Sequence, residues 1–321
     1  MAIDATFSFP IKNRRLPVDF RCLMQQGVYC GSRNPLRIIP ISETSGGTAF
    51  LQVNIGCRHN QCIFCNFYKD VRFREKSEAI ILRDIDTLAE YFMNQEYSQI
   101  SRLMLLDADG LDIGHDQLLH ILEYARSKFP VSDATNDYVT GYDEKYEQFF
   151  EHLQSAGCRA LEFSSFTHTD TIISKGVAQM RELKTLGLDF IWWGLESADV
   201  ELLKLIRKTR NNHADSDNEQ RKLYQAAGIL EKADIFYVPI ILVGLGGERF
   251  FRQHVTRTIA FLEHIMPPGF SLSDLVVPDG TGYQRLIQKG SLDLLSAARL
   301  SEQRQLFENM NITSPQFDYE V

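Results

Sequence analysis

The chain has 321 residues, with 34 Lys and Arg against 42 Asp and Glu, a formal charge of −8 and six cysteines. That length buries a core without disulfide staples, and the acidic balance, with no local basic patch to offset it, argues against a nucleic-acid partner. The opening MAIDATFSFPIKNRRL lacks the apolar run of a signal peptide, and no stretch approaches the roughly 20 apolar residues of a membrane helix. The expectation is a soluble, cytoplasmic protein whose unevenly spaced cysteines serve as thiols, metal ligands or redox groups.

After an irregular N-terminal segment, 1–48, the run AFLQVNI (49–55) predicts a buried strand ending at Gly56. A cysteine-rich loop follows. Ser77-Glu78 opens a helix whose Ile81, Ile85, Leu88 and Phe92 recur at spacings of four, three and four, on one face. RLMLLDADG (102–110) is a second strand with an acidic end, and HDQLLHILEYARSKF (115–129) a helix stopped by Pro130. The polar segment 131–157 interrupts the rhythm as an insertion.

RALEFSSF (159–166), DFIWWGLES (189–197), IFYVPIILVGLGGE (235–248) and FSLSDLVV (270–277) continue the strands, separated by helical patterns. Trp192 and Trp193 read as core. Six strands alternating with helices define an α/β fold with a parallel sheet covered by helices. An open sheet and a partial (β/α)6 TIM-like barrel both fit, since six units are too few for an eightfold barrel. The domain spans 49–278, and 279–321 forms an extension with one helix near 296–310. Such sheets carry ligands at the C-terminal ends of their strands. The cysteine loop, Asp107, Asp109, Glu196 and Gly244–Glu248 all fall there.

The loop GCRHNQCIFCNFYKD (56–70) has the spacing Cys57-x4-Cys62-x2-Cys65. Thiolates select zinc, copper or iron-sulfur clusters, and three readings follow. His59 would complete a Cys3His zinc site, although structural zinc usually draws pairs of ligands from two separate arms. A plant-type 2Fe-2S cluster would need a distant fourth cysteine, and Cys22, Cys30 and Cys158 read as inert thiols. A 4Fe-4S cluster held by three cysteines would leave one iron open to an exogenous ligand.

With an aromatic residue before the third cysteine (Cys62-Ile63-Phe64-Cys65) after the first strand, the loop resembles the signature of the radical S-adenosylmethionine (SAM) superfamily. The x4 spacing, one residue longer than the superfamily's usual x3, and Tyr68-Lys69 resemble small members related to the oxygen-independent coproporphyrinogen oxidase and Elongator-type branch. The resemblance implies a partial barrel, a 4Fe-4S cluster on Cys57, Cys62 and Cys65, and SAM bound at the open iron. It implies SAM contacts from Asp109 to the amino group, from Ser165 and Glu196 to ribose and carboxylate, and from Phe64, Gly244, Gly246 and Gly247 around the adenine.

The implied reaction is reductive cleavage of SAM to a 5'-deoxyadenosyl radical, which abstracts hydrogen from a small-molecule or natural-product substrate. Rearrangement, dehydrogenation, epimerisation and carbon-carbon bond formation remain open. The implied enzyme is oxygen-sensitive and takes its electron from a donor such as flavodoxin or ferredoxin. Arg72, Arg74 and Asp107 are candidates for substrate binding, Arg being suited to carboxylate or phosphate. Each residue also has a plainer reading: Asp107 and Asp109 as turn caps, the glycine run as a tight turn, the arginines as a solvated loop. The competing reading of the whole is a non-catalytic protein stabilised by zinc or an iron-sulfur cluster.

Overall fold

The computed structural model describes residues 48–93, 102–129, 161–209, 215–310 and 312, and the backbone of 316–318. The N-terminal segment, the insertion at 131–157, and Cys22, Cys30 and Cys158 lie outside the described residues. All six predicted strands are present, as β1 (Thr48–Gln52), β4 (Arg102–Leu106), β5 (Glu162–Thr167), β6 (Leu188–Glu196), β7 (Phe236–Val243) and β8 (Phe270–Asp274). A short β9 (Gln316–Asp318) joins them from the C-terminal extension. Every neighbouring pair is parallel and the order is β1-β4-β5-β6-β7-β8-β9, with β1 and β9 at the two edges. Strands laid side by side in chain order form a singly wound sheet, the arrangement of a partial β/α barrel.

The predicted first strand is divided. β1 stops at Gln52, and Asn54–Ile55 (β2) turns away to pair antiparallel with Arg74–Glu75 (β3), Ile55 facing Arg74. The cysteine loop is therefore a closed excursion, rooted on a two-residue ladder and not simply trailing from a strand.

The strands are buried on both faces, as parallel sheets require: in β6 every residue but Gly194 is buried, Trp192 and Trp193 included. Helix α1 (Glu78–Met93) turns Ile81, Ile85 and Leu88, all fully buried, onto the sheet, a contribution of about 2 kcal/mol each. α2 (His115–Lys128) buries Leu118, Ile121, Leu122 and Ala125 at helical spacing. α3 (Thr169–Thr185), α4 (Val200–Leu205), α5 (Ser216–Lys232) and α6 (Gly247–Ile265) complete the cover. α7 (Gly282–Gln288) and α8 (Ala297–Glu308) follow β8. No described helix is long and apolar enough to cross a membrane.

Candidate metal and cofactor site

The cysteine loop is fastened at its root by a carboxylate. Asp107, at the C-terminal end of β4 and 1% exposed, accepts hydrogen bonds from Gln52 Nε2 (3.1 Å), Gly56 N (2.9 Å) and Tyr68 Oη (3.3 Å). It thus joins the end of β1 to both arms of the loop. Burial raises its pKa to about 6 against the pull of those donors. With all three donors drawn from the protein, its place in the fold is that of a tether. Arg58 adds an outer tie, to Glu75 at 2.6 Å and Asp112 at 2.8 Å, while its guanidinium lies over Phe73. Asn60 Nδ2 donates to the Tyr68 carbonyl at 2.7 Å.

The loop then reaches across the sheet. Ile63, between Cys62 and Cys65, donates its amide to the carbonyl of Ile206 beyond β6 and accepts from Tyr283 N beyond β8, both at 2.9 Å. The cysteines are therefore held over the strand ends and not out in solvent. All three are free thiols and half-buried. Desolvation raises the pKa of each, Cys62 to about 12 and Cys65 to about 11. Each thiolate would oppose its neighbours, Cys62 feeling Cys65 and Cys57, and Cys65 feeling Cys57, so the three sulfurs lie within electrostatic reach of one another. Asn60 N, donating to Cys57 Sγ at 3.2 Å, partly relieves Cys57.

Lys208 opposes the burial cost at all three sulfurs. Its Nζ lies 2.7 Å from Glu196 Oε1, and both side chains are largely buried. Burial works against the ammonium, but Glu196 and the thiolates of Cys62 and Cys57 hold its pKa above the ordinary lysine range. Backbone irregularity at the end of β6 sets up the pair. The register with β7 shifts between Gly194 and Glu196, and Glu196 has φ +63°. A bulge and a left-handed residue at a strand end re-aim a side chain, here a carboxylate. A Cβ on Gly194 would lie 3.0 Å from Lys208 Nζ and 3.3 Å from Glu196 Oε1, so a side chain there would press on the tips of both partners and the pair would have to shift.

Asp109 stands in the turn after β4, two residues beyond Asp107, near enough to raise the pKa of Cys57. It accepts from Thr167 Oγ1 (3.1 Å), His168 N (3.0 Å) and Leu111 N (3.2 Å), and burial raises its own pKa to about 6. The structure thus brings Cys57, Cys62, Cys65, Asp109 and Glu196 together, with Phe64 half-buried in the same loop.

The other candidates stand apart. Ser165 is fully buried, its hydroxyl turned to the carbonyls of Phe166 (2.8 Å) and Leu105 (3.3 Å). Arg72 and Arg74 are exposed at the root of the loop. The glycine run is occupied by the chain itself: Gly244 N donates to Gln303 Oε1 (2.6 Å), Gly246 N to Tyr283 Oη (2.8 Å) and Glu248 N to Asp293 Oδ1 (2.9 Å). Gly247, at φ +60°, leaves no room for a side chain, since a Cβ would fall 2.1 Å from Asp293 Oδ1.

Sequence reasoning missed Lys208 and His168 and saw in His59 only a possible zinc ligand. Their signals were a lysine in the basic run Arg207–Arg210 after the short α4 and a histidine opening α3, neither distinctive without the fold. Among the described residues no three His, Cys, Asp or Glu side chains converge as a single-ion site would require.

No family model matches the chain, and no curated protein matches it. Among solved structures it is similar to the HydG maturase of the [FeFe]-hydrogenase, with TM-score 0.50 and 12% identity over 84% of this chain and 50% of that one. It also resembles the radical S-adenosylmethionine methyltransferase TsrM of Kitasatospora setae, with cobalamin and a [4Fe-4S] cluster bound (TM-score 0.47, 14% identity, 71% of this chain and 37% of that one). A third likeness is methylornithine synthase, PylB (TM-score 0.46, 11% identity, 85% and 71%). The first two are two to three times as long as the region that matches. The likeness to HydG is one of fold; the other two fall below that level. The fold and site together define a parallel β/α partial barrel with a three-thiol site at its C-terminal mouth.

Proposed function

We propose that this chain is a radical SAM enzyme, with Cys57, Cys62 and Cys65 holding a 4Fe-4S cluster. The single observation that carries the reading is the seating of a three-cysteine loop over the strand ends, through the hydrogen bonds of Ile63 with Ile206 and Tyr283, beside a buried lysine–glutamate pair. The donor set fits the group. Soft thiolates suit an iron-sulfur cluster, a metal charge relieves the desolvation that keeps these thiols protonated, and three ligands leave a position for SAM. The x4 spacing, with Tyr68-Lys69 after the last cysteine, supports a place near the coproporphyrinogen oxidase and Elongator-type branch.

When bound, the cluster supplies the electron that divides SAM into methionine and a 5'-deoxyadenosyl radical. The chain's part is to bind, orient and exclude water. Lys208 offers a cation to a carboxylate, and Glu196 and Asp109 offer anions to an ammonium group; Phe64 is the aromatic residue of the loop nearest the same thiols in sequence. The buried rim keeps solvent from a reactive intermediate. The substrate is a small molecule and the electron donor a flavodoxin or ferredoxin, with rearrangement, dehydrogenation, epimerisation or carbon-carbon bond formation as the outcome.

Anaerobic reconstitution tests this. The expected result is about four irons per chain, as a single cubane requires, and formation of 5'-deoxyadenosine from SAM with dithionite. One zinc per chain with no iron uptake would overturn it and favour a non-catalytic scaffold. Deuterium transfer from candidate substrates into 5'-deoxyadenosine then names the carbon attacked.

A further inference from the structure

We infer that His59 and His168 are positioning residues: with the amide of Ile63, they seat the cysteine loop on the three consecutive carbonyls of residues 206–208 before any metal binds. The carbonyl of Ile206 accepts from Ile63 N at 2.9 Å, that of Arg207 from His59 Nε2 at 2.7 Å, and that of Lys208 from His168 Nε2 at 3.0 Å. These carbonyls follow directly on α4, whose own last-turn carbonyls at 202, 203 and 204 already accept from Ile206 N, Lys208 N and Arg207 N. Arg207 sits at φ +57°, which carries the chain out of the helix.

The chemistry of His168 is determined by its other ring atom. His168 is the N-cap of α3, and its Nδ1 accepts from Asp170 N at 3.2 Å. With Nδ1 as acceptor the neutral ring carries its proton on Nε2, the atom that faces Lys208 O. Its backbone amide donates to Asp109 at 3.0 Å. His168 therefore links the end of β4, the start of α3 and the segment beyond β6. His59 reaches that segment from the cysteine loop, and the two rings lie 5.3 Å apart, tilted by 33°.

One consequence concerns Lys208. Its carbonyl is held by His168, its amide donates to Leu203 O at 2.8 Å, and its ammonium projects to Glu196 beside the thiols. Releasing the clamp frees both the loop and the residue that carries the compensating cation. The purpose assigned to the clamp rests on the cluster reading; the clamp itself is tested without metal.

The experiment uses metal-free, reduced full-length protein under anaerobic conditions at one pH. Iodoacetamide labelling of Cys57, Cys62 and Cys65 is followed by mass spectrometry in wild type, His59→Ala, His59→Gln, His168→Ala, His168→Gln and His120→Ala. His120 is a control, an exposed ring bonded to Glu78. Each Ala variant at 59 or 168 should speed labelling at Cys57 and Cys62 by about two- to tenfold, the range one hydrogen bond to a locally opening segment supports. Each Gln variant, which keeps a donor at the reach of Nε2, should return labelling close to wild type, and His120→Ala should leave it unchanged. At position 168 the helix cap is lost in both variants, so their difference isolates the bond to Lys208 O. Wild-type rates in the Ala variants, or Gln variants as fast as Ala, would overturn the clamp. If labelling behaves as expected and wild type takes up no iron, the clamp stands and the enzyme reading alone fails.

Discussion

Two stretches at the same end of the sheet are built in opposite ways. The cysteine loop presents three half-buried thiols whose desolvation is only partly offset by Lys208, a state that binding a cation improves. The glycine turn between β7 and α6 has donors at Gly244, Gly246 and Glu248 satisfied by Gln303, Tyr283 and Asp293. Both positions are places where such folds bind ligands. The contrast teaches that the strand ends of one sheet can carry opposite local chemistry, desolvated thiols in one place and satisfied backbone donors in another.

Removing a thiol breaks the contrast most severely. Cys62→Ala should abolish both iron retention and SAM cleavage, a loss of at least about a hundredfold when a cluster loses one of three ligands, while far-UV circular dichroism stays unchanged. Cleavage at the wild-type rate would show that Cys62 is no ligand. The cation beside it comes next. Lys208→Met leaves Glu196 largely buried without its partner and should cost about 3 kcal/mol in denaturant unfolding. Lys208→Met with Glu196→Gln should cost clearly less than the two single changes added together; simple additivity would mean that the pair does not interact.

Between the two stretches runs a buried link whose strength depends on pH. His254 Nδ1 and Ser197 Oγ lie 2.8 Å apart, His254 Nε2 donates to Leu242 O at 3.0 Å, and the ring is fully buried. Burial lowers its pKa from 6.5 to about 4. The unfolded chain therefore takes up this proton first, so the stability is complete above about pH 6.5 and declines as pH falls toward 4, by up to about 3 kcal/mol. Asp107 and Asp109, raised from 3.8 to about 6, act with the opposite sign: the folded state takes up their protons first, and stability falls as pH rises through that window. Thermal unfolding of His254→Asn from pH 7 to 4.5 separates the two effects, because only the histidine contribution should vanish. Parallel pH profiles for variant and wild type would refute it.

The smallest effect sharpens the comparison from the closed side. Asp293→Ala removes the acceptor for Glu248 N at the start of α6 and should cost about 1 kcal/mol, with iron uptake intact. Reduced iron uptake in this variant would show that the closed turn serves the metal site after all.

Much of this architecture could be read from residue order. The six strands, α1 with Ile81, Ile85 and Leu88 inward, and the cysteine spacing are local patterns, set by periodicity and by the donor chemistry of sulfur. Asp109 and Glu196 were legible as acidic residues at strand ends, and they lie within electrostatic reach of Cys57 and Cys62. Other expectations depended on distance. Ser165 is a strand-end residue by sequence, yet its hydroxyl faces backbone carbonyls within the core. Gly244, Gly246 and Gly247 read as a turn or an adenine contact, and nothing in the residue order signalled that residues some 35 to 60 positions later would lie against them.

By itself the sequence determined a parallel α/β sheet and one loop rich in thiols, because side-chain periodicity and ligand type act over a few residues. Only the tertiary structure decided that Lys208 would stand beside those thiols, that His59 and His168 would grip adjacent carbonyls, and that the extension would fill the glycine turn. Each of these depends on hydrogen bonds or charges meeting across elements far apart in the chain, whose energies exist only once the sheet has brought the strand ends together.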